Sequence, residues 1–177
     1  MPLNGAGSAS QTLEIQEHDP RWPVMAAAEL GLLRAALGSS VSGAEHFGST
    51  SVPGLIAKPT IDLILATALW PWPEALDEIL RSISFHFYKA PDPRWRVYLK
   101  ERDGRQRGFH LHLVEENSRH WREHLLFRDH LRRHANDAAV YGRLKLALAA
   151  VHPDQLGEYQ AGKAQLVREI SERARVG

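Results

Sequence analysis

The amino-acid sequence predicts an α+β (mixed α/β) domain, and three observations carry that expectation. Short runs of β-branched, Leu and aromatic residues, punctuated by Pro and Gly, fill the middle of the chain, whereas stretches of helical spacing fill both ends. Their order is a helix, strands interrupted by one helix, and then helices. This suits a mixed sheet with helices packed on one face and a C-terminal helical segment. At 177 residues, 44% hydrophobic and 24% charged, the chain is sized for one domain with a substantial core.

Each element has a local reason. Residues 1–10 are small and polar with no basic or apolar targeting segment, so 1–12 are expected to be a disordered leader to a single domain at 13–177. The Ala- and Leu-rich stretch 20–37 reads as a helix, with Pro20 and Pro23 at its start, Asp19 as N-cap and Gly38 just beyond its end. Residues 45–47 form an extended run into Gly48-Ser49-Thr50-Ser51. Val52 and Lys58 each precede a proline and are biased away from helix. Residues 61–66 read as a strand between Pro59 and Trp70-Pro71-Trp72-Pro73, and 74–81 fit a helix. Strands are expected at 83–89, 95–100 and 109–114. Asp103-Gly104 signals a hairpin between the last two, in a connection expected to exceed two residues. Ser118 can cap a helix to about His134, Asp137 a second to about Val151, and Asp154 opens a third over 155–174.

Residues i and i+2 of a strand share a face. Alternation then collects Ile61, Leu63, Leu65, Phe85, Phe87, Trp95, Val97, Leu99, Phe109, Leu111 and Leu113 on an apolar face expected under helices. Asp62, His86, Tyr88, Arg96, Tyr98, Lys100, His110 and His112 form the opposite, polar face, a candidate cleft.

The most specific stretch runs from His46 to Asp62. Gly48 allows a tight turn and close approach to a ligand, Ser49, Thr50 and Ser51 offer hydroxyls and amides to an anion, and Lys58 adds a charge that can reach a phosphate. Without cysteine, any metal must be held by His and carboxylate or by oxygen alone. Asp62 with His110 and His112 suits one borderline ion such as Zn, Mn or Fe. The pairs His120/His124 and His130/His134 share helical faces but read as surface or core-edge residues. Trp121, Leu125, Phe127 and Leu131 read as core.

This stretch resembles the signature of the GrpB family, of the nucleotidyltransferase-fold, polymerase-β-like superfamily. Asp19-Pro20-Arg21-Trp22-Pro23, the strand from Phe109 to Val114, and Trp121, His124-Leu125, Phe127-Arg128-Asp129 and Leu131-Arg132 resemble further elements of that family. Tyr141, Leu144-Lys145, Tyr159 and Lys163 follow in its order, so the resemblance spans about residues 15–170. It implies a Gly-Ser turn that binds nucleotide phosphates beside carboxylates that hold divalent metal for nucleotidyl or phosphoryl transfer. Asp62 matches the first, catalytic carboxylate. The second position is Ile64, and where a third is usual stand His110 and His112, with Glu115 beyond.

The expected phosphate or nucleotide site is therefore Gly48, Ser49, Thr50, Ser51, Lys58, Arg96 and Lys100, with Asp62, His110 and His112 for a divalent metal (Mg, Mn or Zn); the resemblance also places Tyr159 and Lys163 near it. Two functions fit: a nucleotidyltransferase-like protein, or a folding- or CoA-metabolism-associated binding module that kept the fold and lost the full metal site. The latter draws on the occurrence of GrpB-like domains fused to dephospho-CoA kinase. A metal hydrolase would rest on Asp62, His110 and His112 alone.

With 22 Lys+Arg against 21 Asp+Glu the chain is not globally basic, so nucleic acid is not indicated. Residues 94–134 nonetheless hold 11 of those cations and only 6 of the anions, which leaves room for a positive wall facing a small phosphate-bearing ligand or nucleotide. No apolar run is long enough for a membrane span, and the cytoplasm is the expected compartment.

Overall fold

The computed structural model describes residues 13–176; the expected leader lies outside them. Five strands make one mixed sheet in the order β1-β2-β5-β4-β3. They are β1 (Gly43–Phe47), β2 (Ile61–Thr67), β3 (His86–Asp92), β4 (Trp95–Arg102) and β5 (Arg105–Glu115). Only the central pair, β2 and β5, is parallel. Five helices accompany them: α1 (Arg21–Leu37), α2 (Glu74–Ser82), α3 (Arg119–Arg133), α4 (Ala135–Val151) and α5 (Leu156–Val176). Among the described residues no helix is long and apolar enough to cross a membrane.

Local chemistry sets the element ends. Asp19 starts α1 from one residue outside its N-cap, its carboxylate accepting the Arg21 amide at 2.8 Å and its carbonyl the Trp22 amide at 3.0 Å. Ser118 caps α3 by accepting the Trp121 amide at 3.3 Å. Asp137 caps nothing: it lies inside α4, and its carboxylate meets His130 Nε2 at 2.6 Å and Arg173 at 3.2 Å. The β4–β5 connection is shorter than expected. Asp103 and Gly104, both at positive φ (53° and 73°), form a two-residue hairpin turn, because the strands continue through the charged residues up to it.

Helices α1 and α2 cover one face of the sheet. Trp22, Ala26, Leu30, Leu33 and Leu37, at helical spacing on α1, pack with Leu80 of α2 on Leu63, Leu65, Phe109, Leu111 and Leu113. The C-terminal helices occupy the other side. There α3 lays Trp121 and Leu125 over Phe47, Ile64 and Val114, and α4 and α5 close on α3 around Leu131, Tyr141 and Ile170.

One strand is phased opposite to expectation. Val97 pairs with His112 and Leu99 with His110, while Tyr98 pairs with Leu111 and Lys100 with Phe109. Arg96, Tyr98 and Lys100 therefore face α1 and α2, and Trp95, Val97 and Leu99 share the face of Asp62. The helices supply the cause. Asp77 of α2 accepts from Arg96 Nη2 at 2.8 Å and Tyr98 Oη at 2.6 Å, and Glu29 of α1 accepts from Lys100 Nζ at 2.6 Å. Carboxylates waiting under α1 and α2 let long cationic side chains lie on the core side, with their stems against apolar neighbours. His86 and Tyr88, on edge strand β3, are exposed and lie outside the cleft described next.

Candidate functional site

A cleft of about 510 Å³ opens on the Asp62 face, between the ends of β1, β2 and β5 and the helices α4 and α5. Its edge is the turn after β1. Gly48 has φ +70°, and a Cβ there would press into the Asp62 carboxylate, so the residue must be glycine on both counts. The turn is tied down from within and from α3. Ser51 Oγ donates to the Gly48 carbonyl at 2.6 Å, and His46 Nε2 and Thr50 Oγ1 meet at 3.0 Å. Arg132 donates twice to the Ser51 carbonyl (3.0 and 2.9 Å), and the buried Arg128 donates to the His46 carbonyl and to Glu45, both at 2.9 Å. Ser51 is consequently buried and does not line the cleft; Gly48, Ser49 and Thr50 do.

Three lysines converge on this space. Lys145 lies over the ring of Tyr141 at 4.8 Å and Lys163 over that of Tyr159 at 4.5 Å, each one helical turn beyond its tyrosine; Lys58 approaches Tyr159 at 5.5 Å. Lys145 is 2% exposed and donates to the Ile56 carbonyl. Burial, with repulsion from Lys163, pushes the Lys145 ammonium down to about 7; burial, with repulsion from Lys58, pushes Lys163 to about 8. Lys58 is lowered too, chiefly by burial. Burial raises the Tyr141 hydroxyl, which adjoins Ser49, to about 12. Among the described residues, none of these three lysines forms an ion pair; the buried pairs involve Arg96, Lys100 and Arg128 instead.

Of the two carboxylates that line the cleft, Glu123 of α3 is taken up by Arg119 and Arg175, which leaves Asp62. Burial acts to raise Asp62, but His110, His112 and Lys58 outweigh it and hold the carboxyl below its usual range. Its Oδ1 is 3.5 Å from His110 Nδ1, and one ligand atom each of Asp62, His110 and His112 falls within 4.8 Å of the others. His112 is enclosed by aromatic neighbours: Trp95 stacks at 5.4 Å and donates its indole N–H to Nδ1 at 3.1 Å, and Phe47 meets it edge-on at 4.9 Å. Burial drives the imidazole to about 3, so it is neutral. Ile64, fully buried against α3, stands where a second carboxylate would be, so the oxygen-only pair of metals expected of the fold does not fit this chain.

The structure thus brings together Gly48, Ser49, Thr50, Lys58, Asp62, His110 and His112. Arg96 and Lys100, expected at the phosphates, are on the opposite face, bound to Asp77 and Glu29. Lys145 and Tyr141 are cleft residues to which the strand patterns do not point. Their signal is a repeated Tyr-x-x-x-Lys, 141/145 and 159/163, which puts two such pairs on two adjacent helices. Of the helical histidines, His124 reaches the cleft wall, packed on Phe47 at 5.0 Å, while His130 stacks on His134 at 4.0 Å outside it.

The chain shares its fold with a cytoplasmic RNA terminal U-transferase (TM-score 0.50, 19% identity, covering 73% of this chain and 41% of that one). The GrpB protein family matches residues 12–173, and the chain belongs to that family. It is similar to a UPF0157 protein of Pseudomonas aeruginosa (36% identity over 165 residues, 92% of this chain and 67% of that protein) and to the UPF0157 protein YqkA of Bacillus subtilis (31%, 92% and 47%). The crystal structure of conserved protein GrpB from Enterococcus faecalis is similar throughout, with TM-score 0.84 and 29% identity over 91% of this chain and 96% of that one. The chain spans two thirds of the Pseudomonas relative and less than half of the Bacillus one.

Proposed function

We propose that the cleft binds a nucleotide or another small phosphate-bearing ligand of the cytoplasm, on a nucleotidyltransferase-type scaffold. The observation that carries this reading is the convergence of the buried Lys145 and the half-buried Lys58 and Lys163, without carboxylate ion-pair partners among the described residues, on the turn at Gly48, Ser49 and Thr50. Three partly desolvated lysines share the cleft with Asp62, and a polyphosphate supplies the anion that favours their ammonium forms. The lysines and the turn bind and orient the phosphates, and the flanking tyrosines keep water from the ammonium groups.

Asp62 is the lining carboxylate that no arginine takes up, and it is placed to act on a bound ligand. A Mg or Mn ion carried in by the phosphates would find it as protein ligand, and such an ion would supply charge neutralisation for nucleotidyl transfer. Isothermal titration of the metal-free protein with nucleoside triphosphates, with and without Mg or Mn, tests the reading. Binding of at least one triphosphate is expected; no binding of any triphosphate, nor of inorganic tripolyphosphate, would falsify it.

Ile64 favours a second reading, in which the same cleft binds its ligand as a non-catalytic accessory module. Metal-dependent turnover that disappears in Asp62→Asn, with nucleotide binding retained, excludes that alternative.

A further inference from the structure

We infer that His112 serves the cleft as a hydrogen-bond donor to a phosphoryl oxygen, held in that role by Trp95, and is not a metal ligand. The donor half of this inference rests on the phosphate-binding reading above. An indole N–H can only donate, and that of Trp95 points at His112 Nδ1 from 3.1 Å. Nδ1 must therefore present a lone pair, since a proton there would set two donors against each other. A neutral imidazole carries one proton, which is then on Nε2, the nitrogen left to the cleft that His112 lines. Stacking on Trp95 and edge contact with Phe47 keep the ring from turning over.

Metal ligation asks for the opposite arrangement. A histidine that binds metal through Nε2 has Nδ1–H donating to a carboxylate, a carbonyl or water. Trp95 offers only a donor, and binding through Nδ1 would require expelling the indole. The carboxylate of this trio supports the other ring: Asp62 Oδ1 lies 3.5 Å from His110 Nδ1, whereas His112 Nδ1 meets only the Trp95 donor among the described residues. The nearness of Asp62, His110 and His112 is thus the nearness of an acceptor and a neutral donor. That pairing can orient a phosphoryl group beside Asp62 without adding positive charge to a site that already holds three lysines.

Long-range ¹H–¹⁵N correlation of the imidazoles in the ¹⁵N-labelled, chelator-treated full chain tests the tautomer directly. His112 is expected as Nε2–H, its two nitrogens unchanged by equimolar Zn, and Trp95→Phe is expected to mix the tautomers. An Nδ1–H signal, or zinc-induced shifts of His112 that mark coordination, would overturn the inference. The donor half is read with inorganic tripolyphosphate. Gln at 112 places an amide N–H near the Nε2 position and is expected to bind within about threefold of wild type, whereas Asn, which reaches only the Nδ1 position, loses about tenfold. Equal affinities for His112→Gln and His112→Asn overturn the donor role. If wild type itself fails to bind tripolyphosphate, the phosphate reading falls and the donor half with it, while the tautomer and zinc measurements still decide the metal half.

Discussion

The cations under α1 and α2 and the lysines of the cleft are held in opposite ways. Under α1 and α2 each cation has a carboxylate of its own, Lys100 with Glu29 at 2.6 Å and Arg96 with Asp77 at 2.8 Å. On the cleft face Lys58, Lys145 and Lys163 meet tyrosine rings and, for Lys145, a backbone carbonyl. A buried ion pair offsets part of its own desolvation, whereas a buried ammonium over an aromatic ring leaves most of that cost standing. Charge that is closed within the chain belongs to the fold. Charge left open inside a cleft belongs to whatever enters it.

The sharpest way to break this contrast is to unpair a structural cation. Glu29→Gln leaves Lys100 buried without its carboxylate and is expected to lower unfolding stability by about 3 kcal/mol in a denaturant titration, with tripolyphosphate affinity unchanged. Loss of binding without loss of stability would place Lys100 in the ligand site after all. The mirror experiment is Lys145→Met, which removes an unpaired charge and keeps the side-chain volume. Unfolding stability is expected to hold or rise, and tripolyphosphate affinity to fall about 30- to 100-fold, as for a lost charged hydrogen bond of about 2–3 kcal/mol.

Protonation sharpens the same contrast because the open lysines titrate near neutrality. Lys145 is depressed to about 7 from an ordinary 10.5, so above pH 7 the folded chain holds fewer protons than the unfolded one, and stability must rise with pH from about 7 towards 10. A bound anion restores the ammonium form, so binding takes up protons and affinity must fall as pH climbs past the Lys163 value of about 8. Sulfate keeps a constant charge over this range and isolates the protein's contribution. Its affinity is expected to drop by up to about tenfold per pH unit for each proton taken up, while thermal stability moves the other way. Parallel changes in both would mean that the lysines are already compensated within the chain.

The division between the faces was only half legible in the sequence. Pro and Gly punctuation and period-two alternation find the five strands, though β3 runs over His86–Asp92 and not 83–89 because Ile83 and Ser84 end α2 in a turn, and the His46–Asp62 run locates the turn and its carboxylate. Alternation sorts β4 into two sets but does not say which set meets the helices. The deciding partners, Asp77 and Glu29, lie 19 and 71 residues from Arg96 and Lys100. Apolar Trp95, Val97 and Leu99 look like core, and Val97 is buried with Trp95 and Leu99 half-buried, but on the face of His110 and His112, where Trp95 serves His112. Periodicity does not single out Lys145 for a different reason. Helix α4 is rich in Ala and Leu all round, so it has no clear polar stripe from which a buried lysine stands out, and its marks are the family order of Leu144-Lys145 and the Tyr-x-x-x-Lys echo on α5.

Within the turn itself the same opposition recurs at the scale of a single hydroxyl. Ser49 and Ser51 are two residues apart and chemically identical, yet Ser49 lines the cleft beside Tyr141 while Ser51 is buried with its hydroxyl on the Gly48 carbonyl. Ser51→Ala removes an internal hydrogen bond to a carbonyl that still accepts the Ser51 amide at 3.2 Å, so it is expected to reduce unfolding stability by about 1 kcal/mol. Arg132 and Arg128 still brace the turn from α3, so anion affinity should be little changed. Ser49→Ala is expected to do the reverse, weakening tripolyphosphate binding about threefold to fivefold, with a denaturation midpoint close to that of wild type. If both substitutions act on stability alone, the turn closes on itself as fully as the α1 face does, and the anion is held by the lysines without it.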